Sequence, residues 1–146
     1  MQIEWSTLEA IAATKAIDLW VLFPIGVAVN RMLVRRGNIP TEWRDRLDKL
    51  FGTAEWYDAF YQPSRNRSLF DDEESGLEKN ATFDSISRYF SGRLASVFAK
   101  VATTPALLKN SKGNPLYALF FAAANPRGSV TAVKIANDIL RKFNHG

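Results

Sequence analysis

The chain has no cysteine and a single histidine. Without thiols there is no disulfide, no thiolate zinc site, no iron–sulfur cluster and no cysteine nucleophile. The one histidine is His145, at the end of the given sequence. A serine–histidine triad or a multi-histidine metal site cannot be built from it. A long hydrophobic run is also missing. The longest, Ala16 to Val29, is interrupted by Asp18, Pro24 and Gly26, too short and broken to span a bilayer. The eight glycines are scattered and form no dinucleotide fingerprint. Glu4 and Glu9 stand where a secretory signal carries lysine or arginine. These absences predict a cytoplasmic protein that makes no use of a membrane.

What is present describes a globular chain. It has 146 residues, 47% of them hydrophobic and 23% charged, which fits one domain over 1–146. The net charge is +4, a weaker bias than a nucleic-acid module carries.

Ser6 and Glu9 have capping-box spacing before Thr7–Thr14, which predicts a short helix with Leu8, Ile11 and Ala12 on one face. The run Ala16–Phe23, closed by Pro24 and Gly26, reads as a strand covered on both faces, as a central parallel strand is. A helix is expected over 27–35. Thr41 caps a helix carrying Trp43, Leu47, Leu50 and Phe51 that stops at Gly52, and Thr53 caps a second with Trp56, Phe60 and Tyr61. These aromatics could stack bases, but their spacing favours core contacts. Residues 62–81 read as a loop, with an acidic run at Asp71–Glu74 that is simplest as a solvated face. Residues 40–81 thus form a helical insertion and an acidic loop.

A long helix starts at Thr82 or Asp84 and runs to about Val101, with Ile86, Tyr89, Phe90, Leu94, Val97 and Phe98 inward. Two strands, 102–108 and 116–123, make a hairpin that turns at Lys112–Gly113. Ser129 caps a last helix with Val130, Val133, Ile135, Ile139, Leu140 and Phe143 inward. The fold class is therefore α/β. The layout fits the C-terminal half of a Rossmann-like sheet of the class I methyltransferase kind. It has one central parallel strand, a closing hairpin and flanking helices.

Several segments carry a family resemblance. They are Ala16–Arg31, Trp43 with Arg46-Leu47, Phe51–Trp56, Phe60-Tyr61, Asn114–Tyr117, Phe120–Ala122 and Asn125–Gly128. In order and spacing they resemble the three-Cys-motif partner (TcmP) family over most of the chain. The resemblance implies a C-terminal half of a methyltransferase-like protein linked to nucleic acid. It implies S-adenosylmethionine for a full-length parent and no cofactor for this chain, whose glycines lack the binding turn. The family's name implies a protein partner.

In an open α/β sheet, ligands bind outside the carboxyl ends of the strands. That places a crevice at Phe23, Pro24 and Gly26, with Asn30 and Arg31 beyond it and the hairpin tip, Lys109 and Lys112, on the same side. Arg31 suits a phosphate or carboxylate, and Trp5 suits a stacked base. Glu4 is the weak candidate for a catalytic base, and no residue set suggests a metal. Each has a plain alternative: Glu4 a polar residue near a chain end, Arg31 a surface residue, Trp5 a core plug. Asp18, within the apolar run, is expected to be buried with a partner.

Two functions compete. In one, the chain is part of a nucleic-acid methyltransferase, active only with its other half or a partner, and Arg35, Arg36, Arg44, Lys49, Arg65 and Arg67 hold phosphates. In the other, it is a non-catalytic interaction module whose open sheet edge takes a protein partner or a second copy.

Overall fold

The computed structural model describes residues 3–63 and 77–145. Helix α1 is Trp5–Ala13, strand β1 Asp18–Phe23, and a π-helical turn, Ile25–Val29, runs into the short α2, Asn30–Met32. Then come α3 (Thr41–Phe51), α4 (Trp56–Phe60), β2 (Tyr61–Pro63) and β3 (Leu77–Lys79). The chain continues with α5 (Phe83–Val97), β4 (Lys100–Val101), β5 (Ala106–Lys109), β6 (Pro115–Ala123) and α6 (Ser129–His145).

The main sheet is built around β6. On one side β1 pairs with it antiparallel, Asp18 opposite Ala123 through Phe23 opposite Ala118. On the other side β4 and then β5 pair with it, also antiparallel. Pro105 just precedes β5 and cannot donate a ladder hydrogen bond, so the two short strands lie end to end along β6 with a break between them. Strands β5 and β6 form a hairpin around Asn110–Asn114, where Gly113 has a φ of 81°.

This sheet overturns the expected Rossmann-like arrangement. Among the described residues every strand pair is antiparallel, so there is no central parallel strand. A continuous apolar run fits a strand covered on both faces, whereas β1 alternates, with Val21 and Phe23 buried and Trp20 and Leu22 exposed. Its outward residues are apolar too, which hides the period of two. Asp18, expected buried, is exposed at the start of the strand.

The inner face of the sheet carries the larger core. Phe23 stacks on Phe90 of α5 at 4.2 Å between centroids, and Phe90 meets Phe120 of β6 edge-on at 5.0 Å. Phe51 of α3 packs edge-on against Tyr89 and Phe60. Such pairs add roughly 0.5–1.5 kcal/mol each beyond the area they bury. Helices α3 and α4 are integral to this core through Leu47, Leu50, Phe51, Trp56 and Phe60, which absorbs most of the aromatic cluster. Among the described residues, helix α6 packs on the outer face, with Val133, Ala136 and Leu140 on Phe121, Ala123, Ala102 and Ala106.

Local chemistry sets the element ends. Thr82 and Ser85 cap α5 reciprocally, each side chain accepting the other's backbone N–H, at 3.1 and 2.8 Å. The expected box at Ser6 is absent. Helix α1 begins earlier, and the Glu4 carbonyl, not its side chain, accepts the first N–H groups. Helix α3 ends at Gly52 with φ 73°, a left-handed cap that favours glycine. The expected helix over 27–35 is instead the π-helical turn and α2. The expected loop is partly strand, since β2 and β3 pair antiparallel. Arg65, Arg67 and the acidic run 71–74 lie outside the described residues.

Candidate functional site

The predicted site residues fall in three places. Trp5 is a core residue. It lies edge-on to Phe90, with the Arg93 guanidinium 4.6 Å over its ring. Arg93 also donates from Nε to the Phe51 carbonyl at 2.7 Å, and the Trp5 ring fills the space beside Gly52. The indole Nε1 is buried without a hydrogen-bond partner. This surrounding leaves the Trp5 face no room to stack a base. Glu4 is exposed at the N-terminal end of α1.

Asn30 takes part in a different arrangement. Its Oδ1 accepts from Lys79 Nζ at 2.7 Å, which ties α2 to β3. Desolvation lowers the Lys79 pKa from the usual lysine range. The Lys79 backbone N–H bonds the Arg35 carbonyl, and an isolated antiparallel β-bridge joins the backbones of Arg36 and Glu78. Tyr57 donates to the Gly37 carbonyl at 2.6 Å and Tyr61 to the Val34 carbonyl at 2.6 Å. Burial, with Tyr57 adding to it, pushes the Tyr61 phenol up to about 12. Arg44 lies 4.5 Å over the Tyr57 ring. The neighbourhood of Arg31, Arg35 and Arg36, all exposed, is thus a braced strap from 30 to 39 rather than a crevice.

Lys109 and Lys112 are exposed at the hairpin tip. Gly26 of the π-helical turn packs directly on the Pro115 carbonyl, and a Cβ there would overlap it. The tip therefore does lie at the carboxyl end of β1. The contacts of Trp5 and of Asn30 link neither residue to that tip.

Sequence reasoning missed two features. One is an open cleft of about 390 Å³ between α5 and the β4–β5 break, lined by Ser87, Arg88, Ser91, Thr103, Thr104 and Leu107. Two of its groups are engaged. Arg88 pairs with Asp84 at 2.8 Å, and the Thr103 N–H donates to Asn137 Oδ1 at 3.0 Å.

The other is an apolar surface on the outer face of the sheet. Trp20 lies opposite Phe121, and Leu22 opposite Leu119, so both point to the α6 side. Helix α6 sits over β6, β4 and β5, and Trp20 and Leu22 are left open, at 41% and 37% exposure. Ile135, Ile139 and Phe143, four residues apart along α6, are exposed as well. On the helical wheel they flank the buried stripe on the side away from Asn137 and Asn144, which bond the β4–β5 segment. That side faces β1. All three were expected to point inward. The signal for one buried stripe and one open stripe was in the sequence, as two apolar rows on one helix, but nothing local says which row meets the sheet.

Among the described residues no group of three or more histidine, aspartate or glutamate side chains could hold a metal ion. No described helix is long and apolar enough to cross a membrane. The chain matches no family model, no curated protein and no solved structure, so the TcmP resemblance gains no support from them.

Proposed function

We propose that this chain works as a protein-interaction module whose docking surface is the free edge of β1 with the adjoining outer face. One observation supports this reading most. Among the described residues β1 pairs only with β6, and its outward residues Trp20 and Leu22 are exposed on the same face of the sheet as α6, whose Ile135, Ile139 and Phe143 are exposed as well. Exposed strand edges seek a partner strand. Natural edges are blunted by lysine, proline or a bulge. Strand β1, with the sequence Asp-Leu-Trp-Val-Leu-Phe and an unbroken register, has none of these. An added strand would gain main-chain hydrogen bonds from the edge and side-chain contacts from Trp20 and Leu22.

Hydrogen exchange followed over a range of protein concentrations tests the reading. The β1 amides that point away from β6 should exchange rapidly, or be protected only to the extent that an occupant binds. Protection that is the same at every concentration, and unchanged by Leu22→Lys, would mean the chain covers its own edge and would end the proposal.

A further inference from the structure

We infer that the occupant of this surface is a second copy of the same chain, joined β1 to β1 about a twofold axis normal to the sheet. The inference rests on the docking reading above and adds the partner's identity.

Three observations lead there. The first is size. Trp20, Leu22, Ile135, Ile139 and Phe143 each leave more than a third of their surface open. Together they present apolar surface on the order of 450 Å², within the range of the largest patch a single folded chain leaves open. A standard interface takes about 800 Å² from each partner. To reach that scale the pairing must also bury the β1 backbone edge and the polar rim around it. A twofold pairing needs only that the patch match itself.

The second is register. An antiparallel pairing about such an axis keeps the two outer faces on one side and places α6 of each copy beside the same junction. Centred on Val21, it sets Trp20 opposite the partner's Leu22, an aromatic–aliphatic cross-strand pair. Centred on Trp20, it would set Leu22 against the partner's Asp18 and desolvate a carboxylate. The Val21 register is therefore the favoured one.

The third is charge. Asp18 is the one charged residue of β1. Helix α6 runs in the direction of β1, since Asn137 bonds Thr103 and Asn144 further along bonds Leu107, on the strands that lie antiparallel to β6 as β1 does. Lys142 in its last turn is thus at the far end from Asp18. Antiparallel pairing brings Asp18 of each copy to the Lys142 end of the other, whereas a parallel pairing would set like charges together.

Light scattering on eluting protein, up to about 100 μM, reads the stoichiometry. Two chain masses should appear as concentration rises. Leu22→Lys on β1 and Ile139→Lys on α6, both exposed positions, should each weaken association by about tenfold or more while the circular dichroism stays unchanged. Because the chain has no cysteine, an equimolar mixture of the single variants Trp20→Cys and Leu22→Cys gives a clean register test, and oxidation should yield the mixed covalent dimer in preference to either like pair. A chain that stays monomeric throughout overturns the inference, as does a dimer that both lysine variants leave intact or that the cysteine pair fails to cross-link. A monomer whose outward β1 amides exchange rapidly would sink the second copy and leave the docking reading standing.

Discussion

Trp20 and Phe121 stand opposite each other on neighbouring strands with ring centroids 4.7 Å apart. Phe121 is 4% exposed beneath α6, and Trp20, one strand over, is 41% exposed. The cover on the outer face of the sheet ends between these two residues. The same boundary divides the buried stripe of α6 from its open one, and the proposed docking surface follows from it.

Two glycines should respond in opposite directions to the same change. Gly52→Ala puts a Cβ at φ 73° and into the Trp5 ring. A loss of about 2 kcal/mol or more is expected in urea unfolding, since backbone strain and a core overlap act together. Gly92 lies within α5 with open space around it. Gly92→Ala should add about 0.5–1 kcal/mol. Equal responses would mean the α3 end does not seat against Trp5.

Trp56 ties two helices together. It is fully buried, and its Nε1 donates to Asp48 at 2.7 Å. Trp56→Phe retains an aromatic ring but loses that bond, so a cost of about 1–3 kcal/mol is expected. Trp56→Ala should cost about 3–5 kcal/mol. The denaturation midpoints of the two variants give the comparison.

Tyr61 predicts an alkaline weakness. Its folded pKa of about 12 lies above the unfolded value near 10. The folded state therefore holds its proton where the unfolded state has lost it. This contribution is fully present below about pH 10 and is lost as the pH rises toward 12. Lys79 acts with the opposite sign. Its lowered pKa means that the unfolded state binds more protons just below the usual lysine value, so its contribution rises with pH there. Thermal melts across pH 9 to 12 should show Tyr61→Phe destabilised at about pH 9, where the hydroxyl bond to Val34 is lost. The gap to the natural chain should narrow as pH rises, and a constant gap would contradict the assignment.

The attachment of α6 depends on amides more than on charges. Asn137 and Asn144 accept backbone N–H groups from Thr103 and Leu107. Asn137→Ala should cost about 0.5–1.5 kcal/mol. Arg141 and Asp138 also pair, but both are exposed. Asp138→Ala should change stability by less than about 0.5 kcal/mol. Chemical denaturation of the two variants side by side reads the contrast.

Much of the local structure was legible in the sequence. Thr82 announced α5, Gly52 the end of α3, and the polar run at 109–114 the hairpin, because caps and turns are decided by a few neighbouring residues. The site was legible only in part. Trp5, proposed for stacking, is held in the core by Gly52, Phe90 and Arg93, which come from distant parts of the chain. Asn30 was singled out for a ligand, and no signal in the sequence shows that its side chain holds Lys79, forty-nine positions away.

The sequence by itself determined the start of α5 at Thr82, the end of α3 at Gly52 and the hairpin turn at Gly113, that no thiol chemistry is possible, and that the aromatic residues of 43–61 supply core. The tertiary structure alone decided strand direction and cover. An apolar run such as Ala16–Phe23 has the same hydropathy whether its neighbour runs parallel or antiparallel, and whether its second face is buried or bare. Those outcomes depend on which strand arrives beside it and on how far one helix reaches. Here β6 arrives antiparallel and α6 stops short of β1, which leaves Trp20 and Leu22 open.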